Sequence, residues 1–233
     1  MKKTNRPKVV CHMLASIDGK VTGDFLYAPE CSEATELYYE INRAYGADAY
    51  ACGRVTMQES FTKGYFPSLD GYEPCSDTID FVSEDANGFY AVAFDPHARL
   101  GWKGSRIIDE DDGYGNAHII EVLTESVDPR YLTYLREMNI SYIFAGKDSI
   151  SVATALEKLY RLFNIKTLLL EGGSIINGAF LREELVDEIS LVVAPLTASS
   201  DSKPLFFEGV VSGFALCEAK SLDGGVLRLL YKR

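Results

Sequence analysis

Three stretches of the sequence end an apolar run in residue types suited to ligand chemistry. In Leu168-Leu169-Leu170-Glu171-Gly172-Gly173-Ser174-Ile175-Ile176 an apolar strand ends in a carboxylate, and two glycines then turn into a helix predicted from Ser174 to about Arg182. Glycine lets a backbone approach a ligand with no Cβ in the way. The start of a helix offers free N–H groups and partial positive charge, which suit a pyrophosphate. The same pattern also serves as a plain glycine-rich strand–helix turn. Gly53-Arg54-Val55-Thr56 follows another short strand. There Arg54 can fork onto a phosphate and Thr56 can cap a helix or bond a phosphate oxygen, the alternative being a capped helix with a solvated arginine. Ala15-Ser16-Ile17-Asp18-Gly19 is the third, a strand end with a carboxylate or a simple turn. Three such strand ends in one α/β chain point to a single crevice at the carboxyl edge of a sheet. Neither G-x-G-x-x-G after the first strand nor G-x-x-x-x-G-K-[ST] occurs, so neither a standard dinucleotide fold nor a P-loop is indicated.

The elements that must position these residues can be read from period and punctuation. Lys8 to Ala15 is a mostly apolar run closed by Ser16-Ile17-Asp18-Gly19, a buried strand entering a turn. Ser32 is predicted to cap a helix with Leu37, Tyr38, Ile41 and Tyr45 on one stripe, stopped by Gly46. Strands are predicted at Ala47 to Cys52, Phe89 to Phe94, Ala117 to Leu123, Ile140 to Ala145, Lys166 to Leu170 and Glu188 to Ala194. Helices are expected from Asp128-Pro129 through Arg136 and, capped by Ser151, along Val152, Leu156, Leu159, Tyr160 and Phe163. Thr62 to Asn87 reads as a long loop. Phe214 to Ala219 and Val226 to Tyr231 read as a closing hairpin. Strands alternating with helices imply a parallel or mixed sheet covered on both faces. With no internal repeat or linker, residues 1–233 are expected to form a single domain.

Composition narrows the function classes. Hydrophobic residues make up 47% and charged residues 24% of the 233, an ordinary globular balance. The 23 basic against 34 acidic side chains leave a formal charge of -11, which argues against a nucleic-acid partner. The basic start Met1-Lys2-Lys3-Thr4-Asn5-Arg6-Pro7 leads into no long apolar run, so neither a signal peptide nor a membrane span is expected. Five scattered cysteines without a C-x-x-C read as reduced buried thiols of a cytoplasmic protein. His12, His97 and His118 lack metal-ligand spacing and read as structural, so no metal is expected.

Taken in order, Ala15-Ser16-Ile17-Asp18-Gly19-Lys20, Gly53-Arg54-Val55-Thr56, Glu171-Gly172-Gly173, and Leu185-Val186-Asp187-Glu188-Ile189 with Ala194-Pro195 resemble the reductase domain of riboflavin biosynthesis. That domain is the C-terminal half of a bifunctional deaminase–reductase and belongs to the dihydrofolate-reductase-like superfamily. The resemblance runs from about Pro7 to Tyr231 and is most specific from Glu171 to Pro195; Asp95-Pro96 with Arg99-Leu100 also looks like the family's central strand end. It implies a three-layer α/β/α domain with a mixed, mainly parallel sheet and a C-terminal antiparallel hairpin. It also implies NADPH as cofactor and hydride transfer to 5-amino-6-(5-phosphoribosylamino)uracil or a related pyrimidine.

By similarity, Ala15 with Gly172, Gly173, Ser174, Ile175 and Ile176 holds the nicotinamide half and the pyrophosphate. Gly53, Arg54 and Thr56 form a phosphate-binding turn with Arg54 towards the 2′-phosphate, and Asp95 lies towards the adenosine. Glu171 matches a substrate-contacting carboxylate, and Asp18 and Glu171 are the carboxylates expected to orient the heterocycle or relay a proton. A cytoplasmic homodimer acting on a small heterocyclic substrate is the resulting expectation. The family carries an arginine for the substrate phosphate in its first helix, where this chain has Glu36-Leu37. After the second strand it carries an arginine-bearing loop, where Gln58 to Pro74 has Lys63 but no arginine. A reductase of a non-phosphorylated pterin such as dihydrofolate, or a nucleotide-binding protein without turnover, are the alternatives. There is no H-x-E, and Pro74-Cys75 lacks the second cysteine of P-C-x-x-C, so no deaminase domain is expected.

Overall fold

Every residue of the first strand after Lys8 is buried, the mark of a strand covered on both faces. The computed structural model describes residues 5–233, so the basic start Met1 to Thr4 lies outside the described residues. In chain order the elements are β1 (Lys8–Ala15), α1 (Ser32–Tyr45), β2 (Ala49–Gly53), α2 (Arg54–Met57), β3 (Tyr90–Phe94), β4 (His118–Leu123) and α3 (Pro129–Glu137). They continue as β5 (Ser141–Phe144), α4 (Val152–Phe163), β6 (Thr167–Leu170), α5 (Ser174–Arg182), β7 (Glu188–Val193), β8 (Ala215–Ser221) and β9 (Leu227–Lys232). The described residues divide into two compact units, 5–7 with Asp48–Leu168, and Lys8–Ala47 with Leu169–Arg233; the division falls within β6.

In the first unit β2, β3, β4 and β5 are hydrogen-bonded side by side and all parallel. Asp48, just before β2, anchors the start of β6: its Oδ2 accepts from the backbone N–H of Lys166 and Thr167. β3 and β4 are buried along their whole length. Two helices of this unit have side-chain caps. The Asp128 carboxylate accepts from Arg130 N with Pro129 in the first turn of α3, and the Ser151 hydroxyl accepts from Thr154 N at the start of α4. The predicted long loop carries no regular element between Thr62 and Tyr90. It is nevertheless tied down. Phe81 and Tyr142 exchange both backbone hydrogen bonds at 2.9 Å, and Asp80 accepts from Phe144 N and from the Lys158 ammonium.

In the second unit β1 and β7 are parallel, and β9 then β8 add antiparallel on the far side of β7. The mixed, mainly parallel character and the antiparallel hairpin agree with expectation. α1 packs Ala34 and Ile41 against Leu14 of β1 and Val192 of β7. Gly46 closes α1 in the left-handed conformation, as predicted. Ser32 does not cap it: a turn of 3-10 helix at Pro29–Cys31 runs straight in, and Ser32 is already helical. Cover on both faces fails at β8, where every residue except Glu218 is exposed. The cysteines divide likewise, with Cys11, Cys31 and Cys52 buried but Cys75 only partly so and Cys217 exposed.

Candidate active site

The second unit gathers one group of the expected residues. β1 ends at Ala15, buried and aligned with Val193 of β7, and the chain then turns back so that Ser16 N donates to Lys20 O at 2.9 Å. Asp18 lies exposed in this turn. Its Oδ1 accepts from the Ser16 hydroxyl at 2.7 Å and from Ala198 N at 3.0 Å. These two donors, the Ser16 hydroxyl foremost, hold the Asp18 carboxyl below its ordinary range, so it stands as an anion near neutral pH.

β6 runs into Glu171, which is buried and accepts from Asn42 Nδ2 of α1 at 2.7 Å. Gly172 follows with φ +95°, a conformation that L side chains rarely adopt, and a Cβ built there would stand 3.2 Å from Met13 Cε of β1. The Gly172–Gly173 peptide is cis. Gly173 is in ordinary extended geometry (φ -72°, ψ -172°) and opens α5, whose N-terminus no side chain caps. Ile175 in that first turn is 58% exposed and Ile176 half-buried. Ser174 is buried and its hydroxyl donates to Pro204 O, which leaves its backbone N–H for a phosphate. The segment from Pro204 to Phe207 lies along α5, with Phe207 N donating to Ser174 O at 3.1 Å. Contact at Gly178 is so close that a Cβ there would stand 1.9 Å from Phe207 O.

The Gly53 turn and Asp95 belong to the first unit. Gly53 aligns with Phe94 across β2 and β3, so both groups stand at one carboxyl edge of parallel strands. Gly53 is extended (φ -75°, ψ 161°), and α2 has only four residues without a side-chain cap, so Thr56 does not act as one. Arg54 donates to Gln58 Oε1. Asp95 is fully buried, and its Oδ2 accepts from Arg99 N and Leu100 N, holding the turn after β3. Its Oδ1 is buried without a hydrogen-bond partner, and burial raises the carboxyl above its ordinary range.

One β-strand over, Glu121 of β4 aligns with Ala93, which puts its side chain on the same face as Asp95. Trp102 Nε1 donates to Glu121 Oε1. Tyr131 OH stands 3.4 Å from the same oxygen but only 2.8 Å from Leu100 O, so Trp102 is the main donor. Glu121 Oε2 is buried without a partner. Burial first, and the Asp95 charge second, push this carboxyl well above its ordinary range. Asn42 and Glu121 are buried polar groups that the sequence reading does not single out. Their only signals are an amide in a helix with an apolar stripe and a carboxylate inside an apolar run. Of the histidines, His12 is buried, stacked on Tyr38 and bonded through both ring nitrogens, and burial lowers it to about 4.

The family model described as the RibD C-terminal domain matches residues 113–226, a span that contains Glu171 to Ile176. A 2,5-diamino-6-ribosylamino-4(3H)-pyrimidinone 5′-phosphate reductase of Methanothermobacter thermautotrophicus is 34% identical over 195 residues, 82% of this chain and 79% of the relative. A protein of the same name from Aquifex aeolicus is 32% identical over 93 residues, which make up 40% of this chain and only 41% of the relative. Among solved structures, Acinetobacter baumannii RibD superposes with a TM-score of 0.66 at 20% identity, over 98% of this chain and 58% of that one. This chain thus spans little more than half of that protein, and the likeness is one of fold.

Proposed function

This chain belongs to the family of RibD C-terminal domains, and we propose that it reduces 2,5-diamino-6-ribosylamino-4(3H)-pyrimidinone 5′-phosphate, or the related 5-amino-6-(5-phosphoribosylamino)uracil, with NADPH. The observation that carries the proposal is the turn at Glu171-Gly172-Gly173, where a buried carboxylate stands beside the uncapped start of α5. That helix start fits the cofactor: among the described residues no side chain caps its N-terminus, and anions are stabilised there. When bound, NADPH would supply the hydride for reduction of the substrate's ribosylamino group, with the balancing proton coming from water.

The chain's own residues bind and orient. The backbone of Gly172, Gly173, Ser174, Ile175 and Ile176 holds the pyrophosphate, and the small Ala15 leaves room for the nicotinamide. Gly53, Arg54 and Thr56 receive a phosphate, with Arg54 selecting the 2′-phosphate of NADPH over NADH. Asp95 acts through the turn it braces. Glu171 contacts the substrate, and Asp18, held as an anion, orients donors on the heterocycle. Residues 1–233 serve as one reductase domain, assembled as a homodimer. Initial rates with NADPH and NADH test the proposal against the phosphorylated pyrimidinone, its dephosphorylated form and dihydrofolate. NADPH with the phosphorylated pyrimidinone is expected to be fastest; faster reduction of dihydrofolate would overturn the assignment.

A further inference from the structure

Within α1 the buried residues are Ala34, Ile41 and Asn42. Asn42 is 4% exposed, and an amide in such a place is costly unless it is hydrogen-bonded. Its Nδ2 donates to Glu171 Oε1 at 2.7 Å, at the short end of the range for an N–H facing a charged acceptor, about 2.7–2.9 Å. An amide NH2 can only donate, so the oxygen it meets must accept. An ionisable neighbour of Glu171 is Cys11 on β1, whose thiol is raised first by burial and then by the Glu171 charge, so it stays a neutral thiol. We propose that Asn42 is a positioning residue, which holds Glu171 Oε1 as a hydrogen-bond acceptor and so fixes the orientation of this carboxyl towards the N–H or O–H donors of the substrate. The proposal rests on the reading that Glu171 contacts the substrate.

The test uses the full chain with the pyrimidinone 5′-phosphate and NADPH, in Asn42→Ala, Asn42→Asp, Glu171→Gln and the Asn42→Ala/Glu171→Gln double variant. NADPH binding is measured separately by fluorescence and is expected to be unchanged throughout. Glu171→Gln should lower kcat/KM by roughly a hundredfold and Asn42→Ala by roughly tenfold. The double variant should be no worse than Glu171→Gln alone, because both changes remove one interaction. Asn42→Asp is nearly isosteric and supplies a pH readout that a merely structural role would not give. On the acid side a protonated Asp side chain can donate to Glu171 and restore activity. As pH rises both carboxyls ionise and activity should fall, producing an alkaline limb that the parent lacks. Parental activity in Glu171→Gln would overturn the reading of Glu171 itself. A damaged Glu171→Gln beside a parental Asn42→Ala, additive losses, or an unaltered pH profile in Asn42→Asp would overturn the positioning role.

Discussion

Gly172 and Gly173 are adjacent but answer to different physics. Gly172 has φ +95°, which any side chain would strain, whereas Gly173 is in extended geometry open to all residues. Gly173→Val is therefore the cleaner probe of cofactor approach. It should keep its melting temperature within a few degrees and lose at least about tenfold in NADPH affinity, as the β-branched side chain fills space at the helix start. A lower melting temperature with unchanged affinity would leave these glycines with the turn alone. Arg54→Ala should narrow the preference for NADPH over NADH by roughly 1–3 kcal/mol, read from the two dissociation constants. Equal affinity of the parent for both cofactors would remove that role from Arg54. The glycine pair and the strand-end carboxylates were legible in the sequence because each is defined by neighbours in the chain. Asn42 was not, since it lies beside the stripe of Leu37, Tyr38, Ile41 and Tyr45 and its partner Glu171 is 129 residues away. Nor does sequence tell that the Ser174 hydroxyl is taken by Pro204.

At the scale of the element, β4 carries a carboxylate where a strand of this burial would ordinarily be wholly apolar. Because Glu121 holds its proton in the folded chain well above the ordinary carboxyl range, the folded state binds more protons than the unfolded one as pH rises past about 4.5. Stability contributed by this group is thus complete below that pH and declines towards the raised value, by at most about 1.4 kcal/mol per pH unit. Asp95 is raised by burial and adds in the same direction. Denaturant unfolding between about pH 5 and pH 8 should show this fall, and Glu121→Gln should flatten it. A slope that persists in Glu121→Gln would assign the proton elsewhere. Element positions were largely readable, since Asp128, Ser151 and Gly46 end or begin helices through local chemistry. The start of α1 was not, because a 3-10 turn feeds it without using the Ser32 side chain. The irregular stretch after Thr62 hides its anchoring for the opposite reason: Asp80 and Phe81 find their partners about sixty residues on, at Phe144 and Tyr142.

For the whole molecule, β8 stands last in the strand order, with Leu216 55% exposed. A long open edge of this kind is normally covered or blunted, and a second copy of the chain is the proposed cover. Light scattering at micromolar concentration should give the mass of a dimer; a monomer mass would contradict it. The alternation of strands and helices made the α/β class legible, but the division of the chain inside β6 was not, since no composition change marks it. Hydride transfer itself can be followed with NADPH deuterated at the transferring position of the nicotinamide and the pyrimidinone 5′-phosphate as acceptor. Mass spectrometry of the product should find a single deuterium on the former ribosyl carbon, in amount equal to the NADPH oxidised. Product free of deuterium, or NADPH bound without any turnover of this substrate, would contradict the assignment of this chain as its reductase.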